Sequence, residues 1–357
     1  MPKGDSPLTQ SGNAQLWNTQ PGNVYSRRAW CQRIAATTLF VPATTFSGVA
    51  ASPQRSTAPS PHASSSDLPE PARLASLRAF RSQMGNRRAG FSLVALENEQ
   101  SLYAPSPQSA KDRLLHPERV LWRPGSTVKP FLMERLLATG LLSVSSEYGC
   151  SRTLRLGARA LDCSHAQQPM PLLPAEALAL SCNNYFVHFA ARLPVGAFAD
   201  TLLSSGMADR QPFGKPAAPA TVQVPTDADA HLLQCLGESD VYTSPLALLS
   251  AYTRLILRIQ SMPESHASRA LDEGMRGCVE QGTGIEAKVA GVELAGKTGT
   301  GGARGRTHLN GWFLSYAPAS APRLAMVTFV ENGAGGSDAA PLAAAVWKAL
   351  REFHDLN

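Results

Sequence analysis

A serine hydroxyl and a lysine amine three residues apart, Ser126 and Lys129, form the pair in this sequence best suited to covalent chemistry. They stand in Arg123-Pro124-Gly125-Ser126-Thr127-Val128-Lys129-Pro130, followed by Phe131-Leu132-Met133-Glu134-Arg135-Leu136-Leu137. Pro124 and Gly125 predict a turn, and Ser126 is expected to start a helix whose apolar positions recur at helical spacing. Pro130 is tolerable in the first turn, where backbone N–H groups lack helical partners. Residues i and i+3 share a helix face, so the amine lies beside the hydroxyl. Serine is a weak nucleophile until a base takes its proton. Lysine can be that base only if burial or a nearby cation depresses its pKa. Taken alone, the pattern is a poor signal and reads more readily as a helix cap followed by a solvated lysine.

Two further strings add to it. Ser181-Cys182-Asn183 lies between Ala175-Glu176-Ala177-Leu178-Ala179-Leu180 and Asn184-Tyr185-Phe186. Its hydroxyl and carboxamide suit proton relay and the holding of a peptide backbone. The third string is Leu294-Ala295-Gly296-Lys297-Thr298-Gly299-Thr300-Gly301. Its glycines let another backbone approach a short threonine-bearing strand, and Lys297 adds positive charge. A phosphate loop is the rival reading of Gly-Lys-Thr, and it is expected to fail at Val292, four residues before Gly296.

The elements that must position these strings are readable in outline. Gly90–Glu97 reads as a strand, and a second short strand includes Ser101-Leu102-Tyr103. Near the other end, 311–316 and 324–330 are strand-like and separated by the turn 317–322, which suits a hairpin. Ala339 to Phe353 has helical spacing through Leu342, Val346, Leu350 and Phe353. Residues 126–280 are mostly helical in pattern. Strands from both ends around a helical middle imply a mixed sheet covered by helices, a helical lobe, and a cleft between them.

The chain has 357 residues, 43% of them hydrophobic, which is enough for a substantial core. Its net charge of +6 belongs to the front: residues 1–90 carry ten Lys/Arg against three Asp/Glu, and the rest carries 23 against 24. No basic stripe with interleaved aromatics marks the body, so nucleic-acid binding is not expected. Residues 1–51 have the layout of an export signal: Arg27-Arg28, then a weakly apolar run from Ile34 to Ala51 broken by Pro42, with Val49-Ala50-Ala51 as a cleavage site. An uncleaved anchor is the alternative. Both place the remainder outside the cytoplasmic membrane, in the periplasm or on the membrane's outer face. Residues 52–89 are expected to be a linker, because Ser52 to Pro71 holds five Pro and six Ser without apolar periodicity. The folded domain is expected over 90–357.

Order, spacing and flanks of the three strings together resemble the transpeptidase domain of penicillin-binding proteins. The resemblance runs from about Gly90 to Leu350. It also takes in Thr243-Ser244-Pro245-Leu246, Gly282-Thr283-Gly284 and His308 to Phe313. It implies an α/β fold of the α+β type, with a mainly antiparallel central sheet flanked by helices and a mostly helical lobe. It also implies a peptidoglycan DD-transpeptidase in which Ser126 attacks a D-Ala-D-Ala stem peptide and forms an acyl-enzyme. Lys129 takes the Ser126 proton, Ser181 relays a proton to the leaving amine, and Asn183 holds the substrate backbone. Lys297 supplies positive potential, and Thr298 and Thr300, flanking Gly299, bind the terminal carboxylate from one face of their strand. The N–H groups of Ser126 and Thr300 form the oxyanion hole. β-Lactams are the expected inhibitors, cell-wall synthesis proteins the expected partners, and no cofactor is required for catalysis. A DD-carboxypeptidase, a β-lactamase-like hydrolase and a non-catalytic β-lactam sensor stay open as alternatives. Neither a glycosyltransferase region nor a large pedestal is expected between Ala51 and Gly90.

Six cysteines occur, at 31, 150, 163, 182, 235 and 278. In an oxidising compartment the default for Cys150 and Cys163 is a disulfide. With His165 and Cys182 the same two thiols make a tetrahedral zinc set. The resemblance implies the same, since some elongation-type members carry a metal cluster just before the second motif, where zinc would brace the loop bearing Ser181. Cys235 and Cys278 are expected to be buried apolar residues. His308 and Trp312 read as strand and core residues.

Overall fold

The computed structural model describes residues 68–302 and 308–354. The expected export signal, Cys31 and most of the Pro/Ser-rich stretch lie outside them. A five-stranded sheet in the order β2-β1-β9-β8-β7 organises the chain. Its strands are β1 (Ala89–Ala95), β2 (Asn98–Tyr103), β7 (Ala295–Gly302), β8 (Leu309–Ala317) and β9 (Leu324–Val330). Every pairing is antiparallel, including that of the N-terminal β1 with the C-terminal β9. The mixed sheet expected from the strand positions is therefore antiparallel throughout, because its neighbours are joined by hairpins and by a return from the far end of the chain.

Strand alternation divides the core in two. Trp312, Leu314 and Tyr316 of β8 point into the helical lobe, while Phe313 and Ala317 point to the opposite face. The lobe side is covered by α7 (Pro245–Ser261) and α8 (His266–Glu280). The other side is covered by α9 (Ala340–Leu350) and α1 (Glu70–Met84), which pack on each other. A sheet buried on both faces needs apolar residues at successive positions, and β9 supplies them in Leu-Ala-Met-Val-Thr-Phe-Val.

Helix α1 corrects the expected linker over the described residues, since 68–89 belong to the folded body. Ala72, Ser76, Phe80 and Met84 recur every fourth residue and are buried, forming a narrow stripe among Arg, Ser and Gln. So thin a stripe hides within a polar composition. The C-terminal helix is also shorter than its periodicity: Leu342, Val346 and Leu350 are buried, but Phe353 is exposed beyond the helix end.

Between β2 and β7 lies the helical lobe. Its centre is α2 (Lys129–Ala138), which buries Phe131, Leu132, Met133 and Leu136. Around it stand α3 (Pro174–Ala179), α4 (Asn183–Ala190), α5 (Ala197–Ser204) and α6 (Ala228–Cys235). A small hairpin, β3 (Arg155–Leu156) with β4 (Arg159–Ala160), lies between Cys150 and Cys163, and β5 (Thr221–Val222) pairs with β6 (Val241–Tyr242).

Because Phe80 is fully buried, Phe80→Ala is expected to cost about 3–5 kcal/mol of unfolding free energy, the usual range for a core phenylalanine. Urea unfolding measures it. A cost near zero would restore the linker reading of α1.

Candidate active site

Ser126 occupies one turn of 3-10 helix, Gly125–Val128, and α2 begins only at Lys129. The helix expected to open at the serine therefore opens three residues later, with Pro130 in its first turn. In a 3-10 turn residues i and i+3 eclipse, so Ser126 and Lys129 keep a common side. The turn is clamped from several directions. Arg123 N–H donates to Gly302 O and Gly125 N–H to Gly237 O, both at 3.1 Å. The Tyr252 hydroxyl donates to Thr127 O at 2.5 Å and Trp312 Nε1 to Arg123 O at 2.9 Å. Gly125 has φ 53°, and a Cβ there would fall 2.2 Å from Thr300 O, so only glycine fits. This contact sets the Ser126 turn against the Thr300 backbone, where the two proposed oxyanion donors meet.

Lys129 is fully buried. Its Nζ lies 2.6 Å from Ser181 O, 2.6 Å from Asn183 Oδ1 and 3.2 Å from Ser181 Oγ, with the Phe186 ring at 5.6 Å. Burial, and then the charge of Lys297, push the amine down to about 7. Ser126 Oγ makes no side-chain hydrogen bond among the described residues. The carbonyl and amide oxygens only accept, so they take two N–H groups. A neutral amine keeps one lone pair for a hydroxyl. The site thus holds a lysine able to receive a proton, with the Ser181 hydroxyl beside it.

Ser181 itself sits at φ 56°, left-handed for a residue with a Cβ, just after α3 ends. Such a conformation persists only where neighbours impose it. Asn183 opens α4 and bridges two elements: Oδ1 accepts from Lys129, while Nδ2 donates to Leu161 O at 2.8 Å. Lys297, Thr298, Gly299 and Thr300 all lie on the edge strand β7. Lys297 is fully buried, donates to Thr298 O at 3.0 Å, and burial pushes it down to about 8. A Cβ at Gly299 would fall 2.5 Å from Pro124 O, which brings this strand flush with the Ser126 turn. Thr298 Oγ1 is 2.5 Å from Thr283 Oγ1, and Thr300 Oγ1 accepts from Gly335 N–H at 3.1 Å.

The structure therefore brings the three strings together. It also adds residues that sequence reasoning did not place at the site: Tyr252, Gly237 and Thr283. Thr283 stood within a quoted motif without a role, whereas Tyr252 and Gly237 gave no local signal. His308 is exposed, and Trp312 is core, as expected. Cys235 and Cys278 are buried, also as expected.

The spacing of glycines does not exclude a phosphate loop, because Gly291 stands five residues before Gly296 and satisfies the Walker pattern. The backbone excludes it. Gly296, Lys297 and Thr298 lie inside a paired strand, opposite Ser315, Leu314 and Phe313, rather than in a loop that opens a helix.

Cys150, Cys163, His165 and Cys182 are all buried, with ligand atoms within 4.8 Å of one another. The Sγ atoms of Cys150 and Cys163 are 3.6 Å apart as free thiols, Cys163 and Cys182 are 3.8 Å apart, and Cys150 Sγ is 3.7 Å from His165 Nε2. A tetrahedral ion with Zn–S bonds of ~2.3 Å sets its sulfurs ~3.8 Å apart, so these edges fit zinc. His165 Nδ1 lies 2.8 Å from Ala166 O, which leaves Nε2 for the cluster. Backbone N–H groups of Arg152, Asn183 and Tyr185 point at the three sulfurs. A hydrogen bond from Cys182, helped by His165 and Asn184, holds the Cys163 thiol far below its ordinary value, while Cys182 is raised.

Residues 120–348 match the model of the penicillin binding protein transpeptidase domain. The chain belongs to this family. Among curated relatives, it is 28% identical to the peptidoglycan D,D-transpeptidase PbpA of Mycobacterium tuberculosis over 269 residues, 63% of this chain and 54% of that protein. It is 29% identical to PbpA of Mycolicibacterium smegmatis over 218 residues, 50% of this chain and 44% of the relative. The chain thus spans about half the length of the curated relatives it matches. The fold agrees with Pseudomonas aeruginosa PBP2 in complex with WCK 5153, at TM-score 0.66 and 18% identity, covering 77% of this chain and 76% of the other. It agrees also with PBP2 from Helicobacter pylori in complex with MreC, at TM-score 0.65 and 17% identity, covering 78% and 62%. The expected fold class, antiparallel sheet with flanking helices and a helical lobe, is the one found.

The depressed Lys129 has a thermodynamic signature. Between about pH 7 and its ordinary value near 10.4 the unfolded chain binds a proton that the folded chain does not, so stability rises with pH across that window. From pH 7.5 to 9.5 wild type is expected to gain about 2 kcal/mol over Lys129→Met in urea unfolding. Parallel curves for the two proteins would mean that the amine stays charged in the fold.

Proposed function

We propose that this chain is a peptidoglycan D,D-transpeptidase that acylates itself at Ser126. The observation that carries the proposal is the buried Lys129 amine, close to neutrality at pH 7 and hydrogen bonded only to neutral oxygens, one turn below Ser126. Family membership and the D,D-transpeptidase relatives support it.

Lys129 Nζ takes the Ser126 proton, and Oγ adds to the carbonyl of the penultimate D-Ala in a stem peptide. The oxyanion is met by the N–H groups of Ser126 and Thr300, each such donor contributing about 3 kcal/mol in serine hydrolases. Collapse breaks the peptide C–N bond, and the proton passes from Lys129 through the Ser181 hydroxyl to the departing D-Ala amine. An acceptor amine then attacks the acyl ester and restores Ser126. Asn183 holds the substrate backbone, Lys297 supplies positive potential, and the Thr298 and Thr300 hydroxyls bind the terminal carboxylate beside Gly299. β-Lactams acylate the same serine. Residues 1–51 direct the chain out of the cytoplasm, to the periplasm or the outer face of the cytoplasmic membrane, where its substrate lies. Cell-wall synthesis proteins are its expected partners; the H. pylori neighbour was solved with one, MreC.

Zinc at Cys150, Cys163, His165 and Cys182 is part of the proposal, supported by the tetrahedral edges and the N–H groups on sulfur. The ion supplies fixed geometry, not a reaction step. Cys182 sits between Ser181 and Asn183, so holding its sulfur holds both.

Incubation of purified protein with a labelled penicillin tests the acylation. Stable label that disappears in Ser126→Ala is expected. Rapid release of label would favour a β-lactamase, and absence of label in wild type would refute the reading. For the cluster, elemental analysis with thiol counting is expected to give one zinc per chain and no Cys150–Cys163 disulfide. The intact disulfide would remove the metal.

A further inference from the structure

The β3–β4 hairpin is fastened at two places. At the first, the Leu161 carbonyl, just past β4, accepts from Asn183 Nδ2 at 2.8 Å, and the same amide's Oδ1 anchors Lys129. At the second, Arg159 of β4 reaches the segment that follows α6. Its Nη2 donates to Glu238 Oε2 at 2.7 Å and its Nη1 to the Glu238 carbonyl at 3.0 Å. The Glu238 side chain is only 14% exposed.

Glu238 follows Gly237, and Gly237 is the residue that supports the nucleophile turn. Its carbonyl accepts from Gly125 N–H at 3.1 Å, and a Cβ on Gly237, which has φ 72°, would fall 2.1 Å from Gly125 O. The chain of contacts from Arg159 to Ser126 therefore has no slack: guanidinium to Glu238, peptide bond to Gly237, backbone contact to Gly125, peptide bond to Ser126. A guanidinium gripping both the side chain and the carbonyl of one residue fixes orientation as well as distance. A partly exposed pair adds little to global stability, so its main effect is local.

We propose that Arg159 and Glu238 are positioning residues for acylation, a strap that joins the Cys150–Cys163 loop to the nucleophile turn and keeps Ser126 in register with Lys129 and Asn183. This rests on the reading of Ser126 as the acylated residue. Releasing the strap leaves every reacting group present but lets the turn drift relative to the base, and misplacement by about 1 Å costs on the order of 100-fold in rate.

Acylation by labelled penicillin, followed over a range of concentrations, separates the limiting rate from half-saturation. Arg159→Met and Glu238→Gln are expected to lower the limiting rate by about 10–100-fold with half-saturation unchanged, and Arg159→Lys, which keeps the charge but not the two-point grip, to recover only part of it. Arg81→Met breaks a pair of like exposure and length, Arg81–Asp112, away from the cleft, and serves as the stability control. It is expected to acylate as wild type and to melt no higher than the strap variants. Limiting rates of Arg159→Met and Glu238→Gln within threefold of wild type would overturn the strap, as would an Arg159→Lys no faster than Arg159→Met. So would a rate loss matched by a fall in melting temperature far beyond that of Arg81→Met. A wild-type chain that takes no label overturns the Ser126 reading and the strap together, whereas a labelled wild type with equally fast variants overturns the strap alone.

Discussion

The arrangement depends on one buried amine that, among the described residues, has no carboxylate within hydrogen-bonding reach. Lys129 is enclosed by Ser181 O, Asn183 Oδ1 and the Phe186 ring, and its nearest cationic neighbour, Lys297, is equally buried. Removing an ammonium from water without a counter-charge is so costly that the group neutralises instead. A surface lysine one helical turn from a serine has no such property. The hydrophobic lobe around α2 thus sets the charge state of the amine, because it excludes the water that would keep it charged.

Close backbone approach is the second constraint, and it follows from the first. For the amine to be buried one turn from Ser126, the Ser126 turn, the 236–238 segment and the edge strand β7 must meet without side chains between them. Gly125, Gly237 and Gly299 make this possible, each with another backbone oxygen within 2.5 Å of where a Cβ would stand. On the opposite side, the left-handed Ser181 is held by Lys129 on its carbonyl and by the cysteine cluster on its neighbour. Local strain is tolerated because contacts from separate elements over-determine the position.

Different parts of this molecule were written in the sequence at different ranges. Strands β1, β8 and β9 and helix α9 carry their own apolar patterns, so each was readable from neighbouring residues. The Ser126, Ser181 and Lys297 strings were readable because their residue types are chemically unusual together. Helix α1 was missed because four buried residues at every fourth position are too few to outweigh a polar composition. The Walker spacing at Gly291–Thr298 shows the opposite fault, since a pattern can be present in full while the backbone that gives it meaning is absent.

What the sequence alone determined is the inventory: a serine and lysine one turn apart, two supporting motifs in order, four side chains of metal-ligating type, and strands enough for an antiparallel sheet. These follow from short-range periodicity and residue chemistry. Only the tertiary structure decided the state of that inventory, because the Lys129 amine is pushed toward neutrality by burial and by Lys297, 168 positions away. It alone paired β1 with β9, placed Tyr252 on Thr127 and Gly237 under Gly125, and joined Arg159 to Glu238. Contacts between residues this far apart leave no local signature, since each partner's type is compatible with many others until the fold selects one.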